Sequence, residues 1–253
     1  MIGVSLKMND YIYGKNAVLE ALEKNPKRIN KVYISQTARP CNRLKKIKEL
    51  SRFNSIVISF TNLNSEKFEK EIPHQGVIAS VAPVDYVDFE EFLEQKKDGY
   101  RKIVILDGVQ DPHNFGAIIR TCACSGYDAV IVANHRSCPL NATVEKTSAG
   151  AINHVPIIKV NSLSGTIEIL KKSDWWIIAA DAHAKDNYFE IDYTDMNFAL
   201  ILGSEGSGIT KTLMNKSDFQ IKLPCNFESL NVSTACAVIL YESVRQILCK
   251  NQG

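Results

Sequence analysis

Leu200-Ile-Leu-Gly-Ser-Glu-Gly-Ser-Gly-Ile209 decides how the chain is read. The apolar run 198–202 stops at Gly203, and Gly206 and Gly208 follow closely. This pattern predicts a buried strand opening into a tight loop, with a helix starting near Thr210 or Lys211. Glycine has no Cβ and accepts positive φ, so such a loop lets backbone N–H groups approach a ligand. The spacing is not the G-x-G-x-x-G of a dinucleotide fingerprint, and no Lys-Ser/Thr follows the last glycine as in a phosphate loop. The Glu205 carboxylate would repel a pyrophosphate. The loop therefore suits a neutral or cationic ligand, or is an ordinary strand-to-helix turn; this stretch alone leaves both open.

Working outward, further apolar runs predict strands at 102–106, 129–132, 155–157, 176–179 and 219–223. Nearly continuous apolar strands alternating with helices imply a mostly parallel sheet covered on both faces, an α/β fold. The first 84 residues carry a separate alternation. A helix is expected within Tyr13-Gly-Lys-Asn-Ala-Val-Leu-Glu-Ala-Leu22, with Asn16 as its cap. Strands are expected at 31–34, 56–59 and 75–81, and an amphipathic helix at Arg43-Leu-Lys-Lys-Ile-Lys-Glu-Leu50. Together they predict a small α/β/α domain. Residues 83–88 read as a linker and 89–97 as a connecting helix.

Charge divides the same way. Residues 1–84 hold 14 Lys+Arg against 7 Asp+Glu, a net +7, whereas 85–253 hold 16 against 21, a net −5. A basic first third suggests contact with a polyanion, with Arg43, Lys45, Lys46 and Lys48 as candidate residues for that contact. Hydrophobic residues make up 45% and charged residues 23% of the chain, an ordinary globular balance. No apolar run approaches the roughly 20 residues of a membrane span, and residues 1–10 lack the apolar core of a signal peptide. Seven cysteines without framework spacing predict reduced thiols and a cytoplasmic protein. Cys122 and Cys124 read as small apolar helix residues.

Two more stretches could carry chemistry. In Leu106-Asp-Gly-Val-Gln-Asp-Pro-His-Asn-Phe-Gly-Ala-Ile-Ile-Arg120, a strand ends at Asp107 and Asn114 is placed to cap the next helix. Arg120 then falls on the second turn of a mostly buried helix, as the partner of an internal carboxylate or as a clamp on a phosphate. His113 beside it is a candidate substrate contact. Leu223-Pro-Cys-Asn-Phe-Glu-Ser-Leu-Asn-Val-Ser233 precedes a long helix, with Asn231 or Ser233 as its cap. His135, His154 and His183 have no metal-ligand spacing. Asp107 and Asp111 would bind a metal only with further partners, and none is expected.

Asn114-Phe-Gly-Ala-Ile-Ile-Arg120, Leu202-Gly-Ser-Glu-Gly-Ser-Gly-Ile209 and Ser229-Leu-Asn-Val-Ser233, in this order and spacing, resemble the three motifs of the SpoU (TrmH-type) RNA 2′-O-methyltransferases. Residues 11–22 and His74-Gln-Gly-Val77 resemble the N-terminal substrate-binding domain of the ribosomal-RNA branch. The resemblance implies an RNA-binding domain over 1–84, a linker over 85–98 and a methyltransferase domain over 99–253. It implies a SPOUT-type trefoil knot, which pattern reasoning would argue against because true knots are rare. It also implies S-adenosylmethionine as methyl donor, RNA as substrate and an obligate homodimer. Asn114, Arg120, Glu205, Ser229 and Asn231 would line the reaction centre. Gly203, Leu223 and Leu230 would hold the adenosyl group, flanked by Ile201, Leu202 and Ser233. Methyl transfer to a guanosine ribose in large-subunit rRNA is the expected reaction. The same reaction on tRNA, or a non-catalytic ribosome-assembly role, is the alternative. The family's third motif usually carries a Met and a glycine before Ser-Leu-Asn; here the loop after Pro224 is shorter, and Asn226 is left to supply any left-handed turn.

Overall fold

The computed structural model describes residues 11–63, 73–81, 86–226 and 229–250. The expected linker at 83–85, residues 1–10, and Phe227 and Glu228 of the expected cofactor loop lie outside the described residues. The chain forms two compact units, Met1–Asp85 with Pro139–His154, and Tyr86–Cys138 with Val155–Gly253.

The first unit contains strands β1 (Tyr11–Tyr13), β2 (Ile29–Ser35), β3 (Val57–Thr61) and β4 (Val77–Val81), with helices α1 (Lys15–Lys24) and α2 (Asn42–Phe53). The sheet order is β1-β4-β2-β3, antiparallel except for the β2–β3 pair. Strand alternation sends Ile12, Val32, Ile34, Val77 and Ala79 to one face, where they meet Val18 and Leu22 of α1 and Leu44 and Ile47 of α2. Tyr11, Tyr33 and Ile78 gather on the other face with Leu63. Helix α1 begins one residue before Asn16, with Gly14 at the N-cap position at φ 97°, so Asn16 lies inside the helix rather than capping it.

A segment expected in the second domain belongs to the first unit. It comprises α5 (Ala142–Thr147), capped by the Asn141 side chain, and a 3-10 turn, Ala151–Asn153. Arg28 holds it in place. The guanidinium donates to Glu145 Oε1 at 2.9 Å and to Asn153 Oδ1 at 3.2 Å. The Arg28 and Glu145 side chains are only 10% and 7% exposed. Burial pushes the Glu145 carboxyl up, against the pull of Arg28. Breaking one side of such a pair strands the other charge. Arg28→Ala is therefore expected to destabilise this unit by roughly 3–5 kcal/mol in urea titration, and the paired replacement Arg28→Met with Glu145→Leu to cost far less. Equal losses in the two variants would refute this.

The second unit is built on a seven-stranded sheet: β5 (Lys102–Asp107), β6 (Ala129–Ala133), β7 (Ile157–Val160), β8 (Trp175–Ala180), β9 (Asp186–Asn187), β10 (Asn197–Gly203) and β11 (Phe219–Lys222). Every pair is parallel, in the order β7-β6-β5-β10-β8-β11-β9. Its helices are α3 (Phe89–Glu94), α4 (Pro112–Ser125), α6 (Leu163–Lys172), α7 (Lys211–Met214) and α8 (Val232–Lys250). Helices α3, α6 and α7 cover one face, burying Phe92, Ile167 and Leu213 against Ile105, Ile177 and Ile201. Helix α3, expected as a connector, is thus part of this core. Helix α4 packs along α8 on the other face, where Tyr127 meets Phe198 edge-on. Cys122 is fully buried there, its thiol pushed up by burial and by the neighbouring Cys236, as the reading of a small apolar helix residue expects.

Contrary to the sequence expectation, one helix among the described residues is long and apolar enough to cross a membrane by length and composition: α8, of which 28% of the apolar window is buried. It buries Val232, Cys236, Ile239, Leu240 and Ser243 against the unit and leaves Tyr241 50% and Leu248 55% exposed.

Candidate active site

Strand order reverses between β5 and β10: from β5 the chain winds outward through β6 and β7, while β10 lies on the opposite side. The carboxyl ends of these two strands sit side by side, Gly203 paired with Asp107. Ligands bind in open α/β sheets at such a reversal. The loops after β5, β10 and β11 carry the three motifs identified in the sequence.

The loop after β5 runs into α4. Its cap is Asp111, whose carboxylate accepts the backbone N–H groups of His113 at 3.1 Å and Asn114 at 3.3 Å, with Pro112 in the first helical turn. Asn114 is therefore not the cap. It is a buried residue of the first turn, its side chain free to reach across to other loops. Arg120 moves with this correction to the third turn, about 9 Å along the axis from Asn114. It is exposed and makes no hydrogen bond or ion pair among the described residues. The internal salt bridge allowed by the sequence is absent there.

The loop after β10 folds back on itself. Gly208, at φ 64°, donates its N–H to the Ser204 carbonyl at 2.9 Å, and the Ser204 and Ser207 hydroxyls lie 2.7 Å apart. Gly203 faces this returning chain. A Cβ on Gly203 would fall 2.2 Å from the Gly208 carbonyl carbon and 2.4 Å from the Ile209 nitrogen. The glycine expected to admit a ligand admits the protein's own backbone.

The loop after β11 ends at Asn231, which caps α8. Its Oδ1 accepts from the N–H of Ser233 at 3.0 Å, the Ser233 hydroxyl at 2.6 Å and the Thr234 N–H at 3.3 Å. Its Nδ2 donates to Asn114 Oδ1 at 2.9 Å and also to Glu205 Oε1. Asn114 Nδ2 donates to the same Glu205 oxygen at 3.0 Å. Three residues from three motifs, up to 117 positions apart, thus close one network in which both amides converge on a single carboxylate oxygen.

The other candidates are placed more loosely. Ser229 is exposed, Leu230 is 42% exposed and Leu223 half-buried at the edge of the network's loop. Ile201 and Leu202 are buried strand residues, so they offer a ligand only their backbone. His113 is exposed on the first turn of α4. Among the basic residues of α2, Lys46 pairs with Glu23 at 2.5 Å, Lys45 loosely with Glu49 at 3.9 Å, Lys48 lies over the Phe60 ring at 5.1 Å, and Arg43 is exposed. The Asp111-Pro112 pair before an apolar helix is a recognisable start signal, and it marks Asp111, a candidate metal ligand from sequence, as the cap.

Comparison with known proteins agrees with this geometry. The sequence profile of the SpoU rRNA Methylase family matches residues 101–241, and that of RNA 2′-O ribose methyltransferase substrate binding matches residues 11–87. A protein of Staphylococcus epidermidis bearing the name of a TrmH family tRNA/rRNA methyltransferase is 39% identical over 239 residues, covering 93% of this chain and 95% of that relative. Its counterpart in Staphylococcus aureus is 38% identical over the same length. Among solved structures, the SpoU methyltransferase AviRb from Streptomyces viridochromogenes superposes with a TM-score of 0.80 at 21% identity, covering 96% of this chain and 91% of that one. The same protein has been crystallised with AdoMet, and that form matches with a TM-score of 0.78. With three motifs joined at the strand reversal and profile matches over both parts of the sequence, the chain belongs to the SpoU rRNA methylase family of RNA methyltransferases.

Proposed function

We propose that this protein transfers a methyl group from S-adenosylmethionine to a ribose 2′-OH in RNA, with a guanosine of large-subunit rRNA as the substrate. The observation that carries the reading is the Asn114–Glu205–Asn231 network at the strand reversal, with an exposed Arg120 on the same helix as Asn114. A binding module has no need to hold a carboxylate with two amides, one of them on a helix that also presents an exposed guanidinium, which argues against a purely assembly role. The name shared by the staphylococcal relatives leaves tRNA as the second substrate reading.

The residues present suit the methyl donor. Between Gly203 and Ile209 the loop carries one carboxylate and no cation, unsuited to a phosphate and tolerant of a sulfonium. Gly203, Leu223 and Leu230 would hold the adenosyl group, with Ile201, Leu202 and Ser233 at its margins. S-adenosylmethionine supplies, when bound, an electrophilic methyl group. The chain's part is to align the ribose oxygen and to take its proton. The Arg120 guanidinium, with its planar fork of donors, positions the RNA phosphate and hydroxyl. Glu205 commits Oε1 to the two amides, which leaves Oε2 to receive the hydroxyl proton. Ser229 lies close to Asn231 in sequence, where it can contact the nucleotide. Arg43, Lys45, Lys48 and His113 supply contacts to RNA; Lys46 must first release Glu23.

We further read the active form as a cytoplasmic homodimer with a knotted catalytic domain. The exposed Tyr241 and Leu248 of α8, beside half-buried apolar residues of the same helix, support a second copy as its cover. The deciding experiment is incubation with labelled S-adenosylmethionine and total RNA from cells lacking the protein, followed by mapping of the labelled nucleotide. Label on a ribose of large-subunit rRNA supports the proposal. Label on tRNA selects the second reading, and cofactor binding without transfer to any RNA overturns both.

A further inference from the structure

The Asp107 carboxylate is not part of the Asn114–Glu205–Asn231 network, and the functional reading gives it no task. It closes β5, and its backbone is paired in register with Gly203, the residue at which the Glu205 loop departs. Its side chain meets the other end of the same loop: Oδ2 accepts the Thr210 N–H at 2.8 Å. Thr210 stands at the N-cap of α7, where its own N–H has no acceptor within the helix, and Asp107 supplies one from outside. One residue therefore grips both feet of the seven-residue excursion that carries Glu205. Next to it, Gly108 turns away at φ 79°, and a Cβ there would already lie 3.7 Å from the Ser204 side chain, so the grip is made at close quarters.

Between these feet the loop has its own closure, the Ser204–Gly208 bridge and the Ser204–Ser207 hydroxyl contact. Both are local and do not tie the loop to β5. Among the described residues the Asp107–Thr210 bond makes that tie, beside the buried Ile209, and resists tilting of the loop about Gly203. Tilting would carry Glu205 off the two amides that meet its Oε1.

We infer that Asp107 is a positioning residue for methyl transfer: it clamps the loop 204–210 and so fixes where the Glu205 carboxylate stands. This rests on the methyltransferase reading above for its catalytic consequence, though not for the clamp itself. A carboxylate is not required, only an acceptor oxygen at that point, so an asparagine amide serves as well.

The test combines steady-state kinetics with amide hydrogen exchange on the full chain. Asp107→Ala is expected to lower kcat by roughly 10- to 100-fold, the usual result of misplacing a reacting group by about 1 Å, with KM for RNA nearly unchanged. Asp107→Asn retains activity within about threefold, because its Oδ1 accepts the same N–H. In a Glu205→Gln background, Asp107→Ala costs less than about threefold, since its effect has already been removed. Exchange at residues 204–210 speeds up in Asp107→Ala and not in Asp107→Asn. An equal loss of kcat in both backgrounds would mean that Asp107 acts through the sheet, and the inference fails. Unchanged exchange in Asp107→Ala also overturns it. If the wild-type protein methylates no RNA, the methyltransferase reading falls, while the exchange measurement still decides whether the clamp exists.

Discussion

Replacing Gly203 with alanine is expected to destabilise the second unit by about 3 kcal/mol or more, and to abolish cofactor binding with it. The added methyl would overlap the Gly208 carbonyl carbon at 2.2 Å, the Ile209 nitrogen at 2.4 Å and the Gly208 oxygen at 2.5 Å. These atoms are backbone, so no rotamer change relieves the clash. The strand end cannot retreat either, because Gly203 is paired in register with Asp107 and the preceding Leu202 with both Leu106 and Ala180. Gly206 provides the control: a Cβ there meets nothing within 4 Å. Gly206→Ala is expected to shift stability by less than about 0.5 kcal/mol. Urea unfolding followed by the fluorescence of Trp175 and Trp176 measures both. A wild-type midpoint for the Gly203 variant would show that the close pass does not exist.

Arg120→Ala is expected to abolish turnover, a loss on the order of 10²–10⁴-fold or more, and to leave folding and S-adenosylmethionine affinity nearly untouched. The division follows from where the side chain lies. Arg120 is exposed and has no partner among the described residues, so its removal strands no buried charge. It lies two turns beyond Asn114, away from the strand ends that would hold the adenosyl group. Arg120→Lys keeps the charge but not the planar fork of donors, and is expected to restore little. Calorimetric titration with the cofactor, paired with methyl-transfer rates, separates the effects. Near wild-type turnover in Arg120→Ala would sink its assignment.

Some parts of the fold and of the site are legible in the residues alone, and others are not. Strands β5, β6, β8 and β10 were legible because a strand buried on both faces is apolar throughout, and short β-branched runs such as Ile103-Val-Ile-Leu106 favour a strand over a buried helix. Strands β1 and β9 were not: three residues, or two, carry no periodicity. Glu205, Asn114 and Asn231 were legible through their motifs, but their convergence was not, because hydrogen bonds spanning up to 117 positions leave no trace in local spacing. The caps at Asn114 and Asn16 were misplaced for a local reason. Several residues near each helix start have side chains suited to capping, and only backbone geometry chooses among them. Nor does anything in Pro139–His154 announce that it packs with the N-terminal residues; the Arg28–Glu145 and Glu20–His154 pairs join the two, and neither shows in local sequence.

Asn231 has a consequence for which residues that position can hold. Serine, threonine, aspartate and asparagine all start helices well, and for α8 alone any of them would do. Only asparagine offers an acceptor to the helix and, from the same planar group, a nitrogen with two hydrogens to share between Asn114 and Glu205. Aspartate keeps the helix start and turns both donors into a second negative charge facing Glu205. Asn231→Asp is thus expected to unfold within about 1 kcal/mol of the wild type while its methyl transfer collapses. Thermal unfolding and a transfer assay on the same preparation check both halves. At this single position, the demands of stability and of chemistry come apart by the exchange of one NH₂ for one oxygen.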